Sequence, residues 1–453
     1  MNSFSRTGDG VSAATERHGA AATFAVSVSP EWTARSPTLA RAQRSLGPDG
    51  RTFPLWPPLT AGAGADRRIG LDYPLEIEFD LDGVDPDLFD QAAEPGLERW
   101  APLLPPLAPG LSMGEGGTPL VRSDALDRWS GCPELFIKDE SRNPTWSHKD
   151  RLNLCTVSGA VGSGAPGIAV ASSGNHGASA SAYAARAGLP CILITDEAAS
   201  RSAQAFMRAY GAAVVGVPVQ ERLGLLKRVV DETGFVPVSS ITDTHTGHPF
   251  GPEGYKTIAY ELFIQLGRRA PAAVFVPTGY AELLFGVCKG FDELRRLGLI
   301  ASVPRMVACE PAARGPLARA VAAQQPLARV DPSPTRAVAI ACTVSSFRGI
   351  AAINNSNGLA LVVSDEEVAE AKAASGAAGL WPEFSSAAAL AAVRKAKAAG
   401  ERFDGPIVAI QTSAGFKDPF VAADAVPRIS PSWEALTAAL RDLYGVSVAE
   451  PPR

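Results

Sequence analysis

Lys149 lies in NPTWSHKDR, residues 143 to 151, where a strand-like run gives way to a turn and then to a helical stretch. The apolar run PELFIKDE (133 to 140) carries the chain to an Asn-Pro-Thr turn, and Ser147 stands where the following helix would be capped. In a first helical turn the macrodipole disfavours an ammonium and favours the neutral amine, the form that condenses with an aldehyde. The plain alternative is a solvated helix face, which is what most Lys-Asp-Arg triplets are. A second stretch adds to the chemical reading. In GIAVASSGNHGASASAYAARAG (167 to 188) a buried run, Ile168 to Ala171, meets the turn Ser172-Ser173-Gly174-Asn175 and continues as an Ala-rich amphipathic helix. Two hydroxyls, a glycine and a carboxamide at the mouth of a helix form a cradle for an anion, whereas an ordinary cap needs only one such side chain. AAVFVPTGYAELLFGVCKG (272 to 290) repeats the plan around Gly279 and offers a second seat for a phosphate, although a lone glycine turn after a strand is common in α/β proteins.

These turns need strands to deliver them. From 167 to about 240 the buried runs GIAVAS, PCILIT and AAVVGVP alternate with helical stretches, and from about 251 VFVPTG, MVACEP, LALVVS and IVAIQTS do the same. Such alternation predicts two parallel sheets with covering helices, and a cleft at their strand ends with Lys149 in it. Ahead of them lie a strand-like YPLEIEFDL (73 to 81) and a helix-like DPDLFDQA, leading into GEGGTPL. Residues 1 to 70, rich in Ser, Ala, Gly, Arg and Pro with little periodicity, read as an irregular extension over the body or over a partner subunit.

The composition fits a soluble enzyme. The length of 453 residues allows about three domains, and a hydrophobic content of 46% is ample for a sizeable core. A net charge of -5 with 20% charged residues gives no footprint for nucleic acid or an anionic membrane. The 6 cysteines (Cys132, Cys155, Cys191, Cys288, Cys309, Cys342) are widely spaced, several in apolar runs, and read as reduced core residues of a cytoplasmic protein. No apolar run is long enough for a membrane span, and the N-terminus lacks the basic-then-apolar order of a signal peptide. Of 5 histidines, His148, His176, His245 and His248 fall in or beside the stretches already named. No zinc or other metal site is expected, because His245 and His248 lack nearby further ligands and no CxxC occurs.

The chain resembles the fold type II pyridoxal-phosphate enzymes (the tryptophan synthase beta superfamily), and within them the threonine synthase branch. The resemblance rests on GEGGTPL (114 to 120), KDESRNPTWSHKDR (138 to 151), ASSGNHGASASAYAARAG (171 to 188), GPEGYKTIAYEL (251 to 262), VPTGYAELLFG (276 to 286), PEFSSAAALAA (382 to 392) and QTSAGFKDP (411 to 419). It implies an α/β fold of two lobes, each an open, mostly parallel sheet with covering helices, and pyridoxal 5'-phosphate in the cleft between them. The large lobe would take residues 71 to 160 and 251 to 453, and the small lobe residues 161 to 250 with the Ser-Ser-Gly-Asn loop. Lys149 would hold the cofactor as a Schiff base and shuttle the Cα proton. Asn175 would bond the 3'-oxygen, the backbone of Gly279, Tyr280, Ala281, Glu282 and Leu283 would cradle the phosphate, and Thr412 would meet the pyridine nitrogen. A neutral hydroxyl there leaves the ring a weaker electron sink, which favours elimination and replacement over transamination. Ser172, Ser173 and Gly174 would hold the substrate carboxylate, with His148, His176, His245 and Thr246 lining the substrate pocket. Each histidine is read as a pocket or loop residue and not as a general base, because Lys149 can already move the proton.

Departures from the branch concern the acceptor pocket. Threonine synthases carry a segment like Asn-Ser-x-Asn-Pro-Tyr-Arg whose Asn, Ser and Arg hold the substrate phosphate; here it reads His245, Thr246, His248, Pro249, Phe250, Gly251. A glycine in place of the guanidinium removes a bidentate contact that a neutral group cannot replace, so homoserine phosphate is not the expected substrate. Trp146-Ser147-His148 replaces Gly-Ser-Phe before the lysine, and Glu282 enters the phosphate loop, its side chain expected to turn toward the helix dipole. The expected activity is that of a pyridoxal-phosphate-dependent lyase: α,β-elimination or β- or γ-replacement on an amino acid bearing a leaving group, in specialised amino-acid biosynthesis. The alternatives are a true threonine synthase and a non-catalytic binding homologue. The partner is a small amino acid, with neither nucleic acid nor membrane, and the assembly the resemblance suggests is a homodimer.

Overall fold

The strand Leu135–Asp139 lies parallel to Ile407–Gln411 with Leu135 opposite Ile407 and Asp139 opposite Gln411, so the Lys149 turn and Thr412 leave the sheet at one edge. The structure, a computed structural model, describes residues 36 to 418 and 428 to 446. These two strands belong to a six-stranded sheet ordered Leu359–Val363, Arg305–Pro311, Ala273–Pro277, Ile407–Gln411, Leu135–Asp139, Leu120–Arg122. All neighbours pair in parallel except the last, which is antiparallel. Helices on both faces explain why Ala273–Pro277 and Ile407–Gln411 are buried at every position, the pattern of a doubly covered parallel strand.

A four-stranded parallel sheet, ordered Ala213–Val217, Cys191–Asp196, Ile168–Ala171, Val236–Pro237, carries the Ser-Ser-Gly-Asn turn at the end of Ile168–Ala171. The run AAVVGVP, expected to be buried, is instead a half-exposed edge strand, because only Cys191–Asp196 flanks it.

Close helix packing fixes the lysine. Helix Lys149–Gly162 crosses helix Gly251–Gln265 so tightly that a Cβ on Gly254 would stand 1.9 Å from the Arg151 carbonyl oxygen. Only glycine permits that approach. Below the crossing, the buried Arg151 donates to Glu140 (2.7 and 2.8 Å) and to Glu261 (2.6 and 2.8 Å), and Lys138 reaches Glu261 at 2.7 Å. The network ties the first turn of the lysine helix to the end of Leu135–Asp139 and to the crossing helix. Removing one partner would leave a buried charge uncompensated, at a cost of about 3–5 kcal/mol.

The N-terminal stretch differs from the irregular segment expected. Ala40–Ser45 pairs antiparallel with Thr52–Pro54 and with Leu75–Phe79, while residues 1 to 35 lie outside the described residues. Gln43 is buried between these elements and donates to the carbonyls of Pro54 (2.7 Å) and Pro57 (2.9 Å). Trp56 then packs edge-on against Phe250 and over Gly162, roofing the two crossing helices. DPDLFDQA forms only the short 3-10 turn Pro86–Phe89, since Arg99 takes the Leu88 carbonyl at 2.8 Å in place of a helical donor. No helix among the described residues is long and apolar enough to cross a membrane.

Candidate active site

Lys149 is the first residue of its helix, and its Nζ donates to the Tyr255 hydroxyl at 3.0 Å. Burial lowers the Lys149 pKa from its ordinary value, against the pull of the Glu282 carboxylate. His148, not Ser147, occupies the cap position. Ser147 is held in an antiparallel bridge to Ser413, and its buried hydroxyl has no partner among the described residues. The amide and Nδ1 of His148 both donate to the Thr412 carbonyl (3.0 and 3.2 Å), joining the lysine turn to the end of Ile407–Gln411. Burial, then the Lys149 charge, holds His148 well below its usual pKa, so it is a neutral spacer. Trp146, one of the residues that replace Gly-Ser-Phe before the lysine, turns outward: it is 42% exposed and packs on Phe206 and Phe416. Its φ of 59° is uncommon for a bulky residue, and those two rings hold it there.

In the Ser-Ser-Gly-Asn turn, hydrogen-bond accounting decides what the hydroxyls can do. Ser172 Oγ accepts from the amides of Gly174 (3.3 Å) and Gly177 (2.9 Å). Ser173 Oγ accepts from the Asp196 amide (3.1 Å) and from Arg222 (2.9 Å). Both oxygens have spent their lone pairs, so each O–H is left to donate. With Gly177 capped, the Asn175 and His176 amides at the helix start have no acceptor among the described residues. The turn therefore brings together two hydroxyls free to donate and two unpaired amides, the donors a carboxylate seat requires. His176 is kept neutral, its pKa lowered to about 3 by burial and the nearby Lys149 charge.

The turn after Ala273–Pro277 has the same character. Thr278 still donates to Cys309, but the amides of Gly279, Tyr280, Ala281, Glu282, Leu283 and Leu284 find no acceptor among the described residues. Ala281, at φ 62° and ψ 15°, reverses the backbone so that consecutive amides converge on one concavity. The Glu282 carboxylate lies 3.6 Å from His245 and 3.8 Å from Arg348. Burial would raise its pKa, but His245, Lys149 and Arg348 outweigh that and hold it ionised.

At the far end, the Thr412 hydroxyl lies 2.6 Å from that of Ser386, which also accepts the Ser413 amide at 3.0 Å. Asn175 is fixed from three sides: its Nδ2 donates to Glu383 (2.6 Å), and its Oδ1 accepts from Lys417 (2.9 Å) and Ser413 (3.2 Å). Tyr255, Glu383, Ser386 and Lys417 were not singled out from the sequence. The Pro-Glu-Phe-Ser-Ser and Gly-Phe-Lys-Asp segments carry three of them, and that was the available signal.

The 245 to 251 loop lies against the same cleft. His245 stacks on Tyr280 with ring centroids 3.6 Å apart. Thr246, expected in the substrate pocket, has its hydroxyl spent on Thr60 (3.2 Å) and Thr242 (2.9 Å) and serves the loop. The fully buried Arg348 donates to the carbonyls of Thr246 and Leu75.

A turn with free hydroxyl and amide donors, a second run of unpaired amides and a partly desolvated lysine therefore converge on one cleft. The pattern of the pyridoxal-phosphate dependent enzyme family (PALP) matches residues 111–413. The chain belongs to that family. Threonine synthase of Methanocaldococcus jannaschii is 34% identical over 364 residues, 77% of this chain and 88% of that protein. Threonine synthase of Mycobacterium tuberculosis is 33% identical over 324 residues, 70% and 86% of the two chains. Among solved structures, a T.th. threonine deaminase is 26% identical with a TM-score of 0.57, covering 66% of this chain and 92% of its own. Maize serine racemase shares the fold at 22% identity and a TM-score of 0.56, over 66% of this chain and 88% of its own.

The protein is thus a pyridoxal-phosphate-dependent enzyme of fold type II. Its residues fit the cofactor on structural grounds: the run of unpaired amides from Gly279 to Leu284 suits a phosphate, and the cleft holds a lysine whose charged form is disfavoured.

Proposed function

We propose that this enzyme carries out α,β-elimination or β- or γ-replacement on an amino acid bearing a leaving group. Pyridoxal phosphate, when bound, supplies the electron sink. Lys149 is the amine that holds it and the base that moves the Cα proton, with Tyr255 orienting the amine. The amides of Gly279 to Leu283 seat the phosphate, Asn175 meets the 3'-oxygen, and Thr412 with Ser386 presents neutral hydroxyls to the ring nitrogen. Ser172, Ser173 and the Asn175 and His176 amides receive the substrate carboxylate. The observation that carries this reading is the hydroxyl accounting at Ser172 and Ser173, which leaves both O–H groups free to donate to a carboxylate.

Neutral partners at the ring nitrogen favour elimination and replacement, in line with the threonine synthases and deaminase this chain is similar to. A second reading, threonine synthesis from homoserine phosphate, is favoured by the 34% identity to a threonine synthase. It is weakened by the absence, among the described residues, of a spare cation beside Gly251. The six buried, free cysteines support a reducing, cytoplasmic setting. The test is a screen of amino acids and their O-phospho, O-acetyl and O-succinyl esters, following cofactor absorbance together with release of the leaving group. Release with one ester class supports the proposal; transamination products alone would contradict it.

A further inference from the structure

Cations around the cleft are nearly all committed. Arg348 is held by two carbonyls and lies near Glu282, and Lys417 serves Asn175. Arg314 donates to the carbonyls of Ser333 and Ala341. On the small lobe, Lys227 pairs with Asp243 and Arg228 with Glu232. Arg222 differs. It begins helix Arg222–Thr233, and its polar contacts among the described residues are the Ser173 hydroxyl at 2.9 Å and the Val219 carbonyl at a long 3.5 Å. No described carboxylate pairs with it. Most of its five N–H donors are therefore unspent.

Its place follows from its neighbours. One side of the guanidinium rests on Ser173 in the Ser-Ser-Gly-Asn turn. Its charge also acts on the Tyr280 phenol in the opposite, Gly279 turn, where Cys342 and burial raise the pKa and Arg222 and Arg314 oppose them. Arg222 thus stands directly behind Ser173 of the proposed carboxylate seat, with its charge felt at the Gly279 turn.

Resting on the reading above that an amino acid binds against Ser172 and Ser173, we infer that Arg222 recognises a second, distal carboxylate on the substrate side chain. A planar guanidinium matches the two coplanar oxygens and the single charge of a carboxylate. A dianionic phosphate would bring a second charge that one arginine does not balance, in a cleft that already holds the ionised Glu282 and the cofactor phosphate. The substrate class is an amino acid whose side chain, or whose leaving group, ends in a carboxylate.

Three non-reacting amino acids of equal reach test this in the holoenzyme: L-2-aminoadipate, L-norleucine and L-2-amino-5-phosphonopentanoate, titrated by cofactor absorbance and by tryptophan fluorescence. The wild type is expected to bind aminoadipate about 10- to 100-fold more tightly than norleucine. Arg222→Gln is expected to remove that advantage, costing aminoadipate far more affinity than norleucine at unchanged cofactor content, and Arg222→Lys to keep part of it. Equal wild-type affinity for aminoadipate and norleucine, an equal loss of both in Arg222→Gln, or a preference for the phosphonate would overturn the assignment of Arg222 alone. A wild type in which none of the three, nor serine, perturbs the cofactor would overturn the amino-acid reading of the site and this assignment with it.

Discussion

The Nζ of Lys149 lies 3.0 Å from the hydroxyl of Tyr255, across the crossing of two helices that Gly254 allows to touch. Burial pushes the Tyr255 phenol well above its ordinary pKa, so the partner of the lysine is a neutral hydroxyl and not a phenolate. A neutral partner orients the amine without fixing a charge on it. Tyr255→Phe keeps the ring and its packing and removes that one bond, worth about 0.5–1.5 kcal/mol. Turnover is expected to fall roughly tenfold or less, with an unchanged melting temperature. A loss of several orders of magnitude would make Tyr255 a proton donor in the reaction itself.

Where we propose that the pyridine nitrogen is met, the hydroxyls of Thr412 and Ser386 stand 2.6 Å apart, close enough for one to stand in for the other. Thr412→Ala is expected to weaken cofactor retention and slow the reaction roughly tenfold or less, leaving the reaction type unchanged. Because Ser386 can take over, the Thr412→Ala, Ser386→Ala double variant is expected to lose more than the two single losses combined. Cofactor dissociation constants from absorbance titrations decide this; strict additivity would show that the two hydroxyls act separately.

Lys417 gives the site a pH dependence. Burial lowers its pKa to about 8, against the pull of Asp150 and Glu383, and its ammonium donates to Asn175 at 2.9 Å. Above that pH the charge on this bond is lost. The sign for stability is the reverse: an unfolded lysine titrates near about 10.4, so between the two values the folded chain binds fewer protons and this group favours folding as pH rises. An alkaline fall in kcat/KM near pH 8 is therefore expected without unfolding, and Lys417→Met is expected to flatten it. The same fall in the variant would assign it to another group.

Homoserine phosphate is expected to be a poor substrate. Arg348 is committed to two carbonyls and Glu282, and the buried Lys256 sits 2.9 Å from both Glu253 and Glu293. His248 is held neutral, its pKa lowered to about 3 by burial. Arg222 alone brings one charge to a dianion, and none of these groups adds a second, so kcat/KM is expected to be roughly 10- to 100-fold below that for the best acylated amino acid. Assays of threonine formation across roughly pH 6 to 9, spanning the ordinary histidine range, check this. Efficient formation with no preference for low pH would restore threonine synthesis as the reading.

The parts of this site written in local sequence were legible there. The Ser172 to Asn175 turn and the Gly279 turn each follow a strand directly, and Lys149 opens a helix after the turn that ends the Leu135–Asp139 strand, so periodicity and turn residues located them. What escaped was made by contacts between distant segments. Tyr255 meets Lys149 from 106 positions away, and Glu383 meets Asn175 from 208 away. Neither distance leaves a mark on local spacing. Thr246 escaped differently: its hydroxyl looked free, but the fold brings Thr60 against it. The sheet formed by Ala40–Ser45 was hidden because small and charged residues alternate there, and its hydrophobic cover arrives from Leu75–Phe79.

The most direct test of the account is where the cofactor attaches. Reconstituted enzyme, reduced with borohydride and digested, is expected to carry a pyridoxyl group on the peptide containing Lys149. Lys149→Ala is expected to lose both this label and turnover while keeping the wild-type fold. A label on any other lysine, or a Lys149→Ala enzyme that retains the chromophore and turns over normally, would contradict the assignment of this cleft.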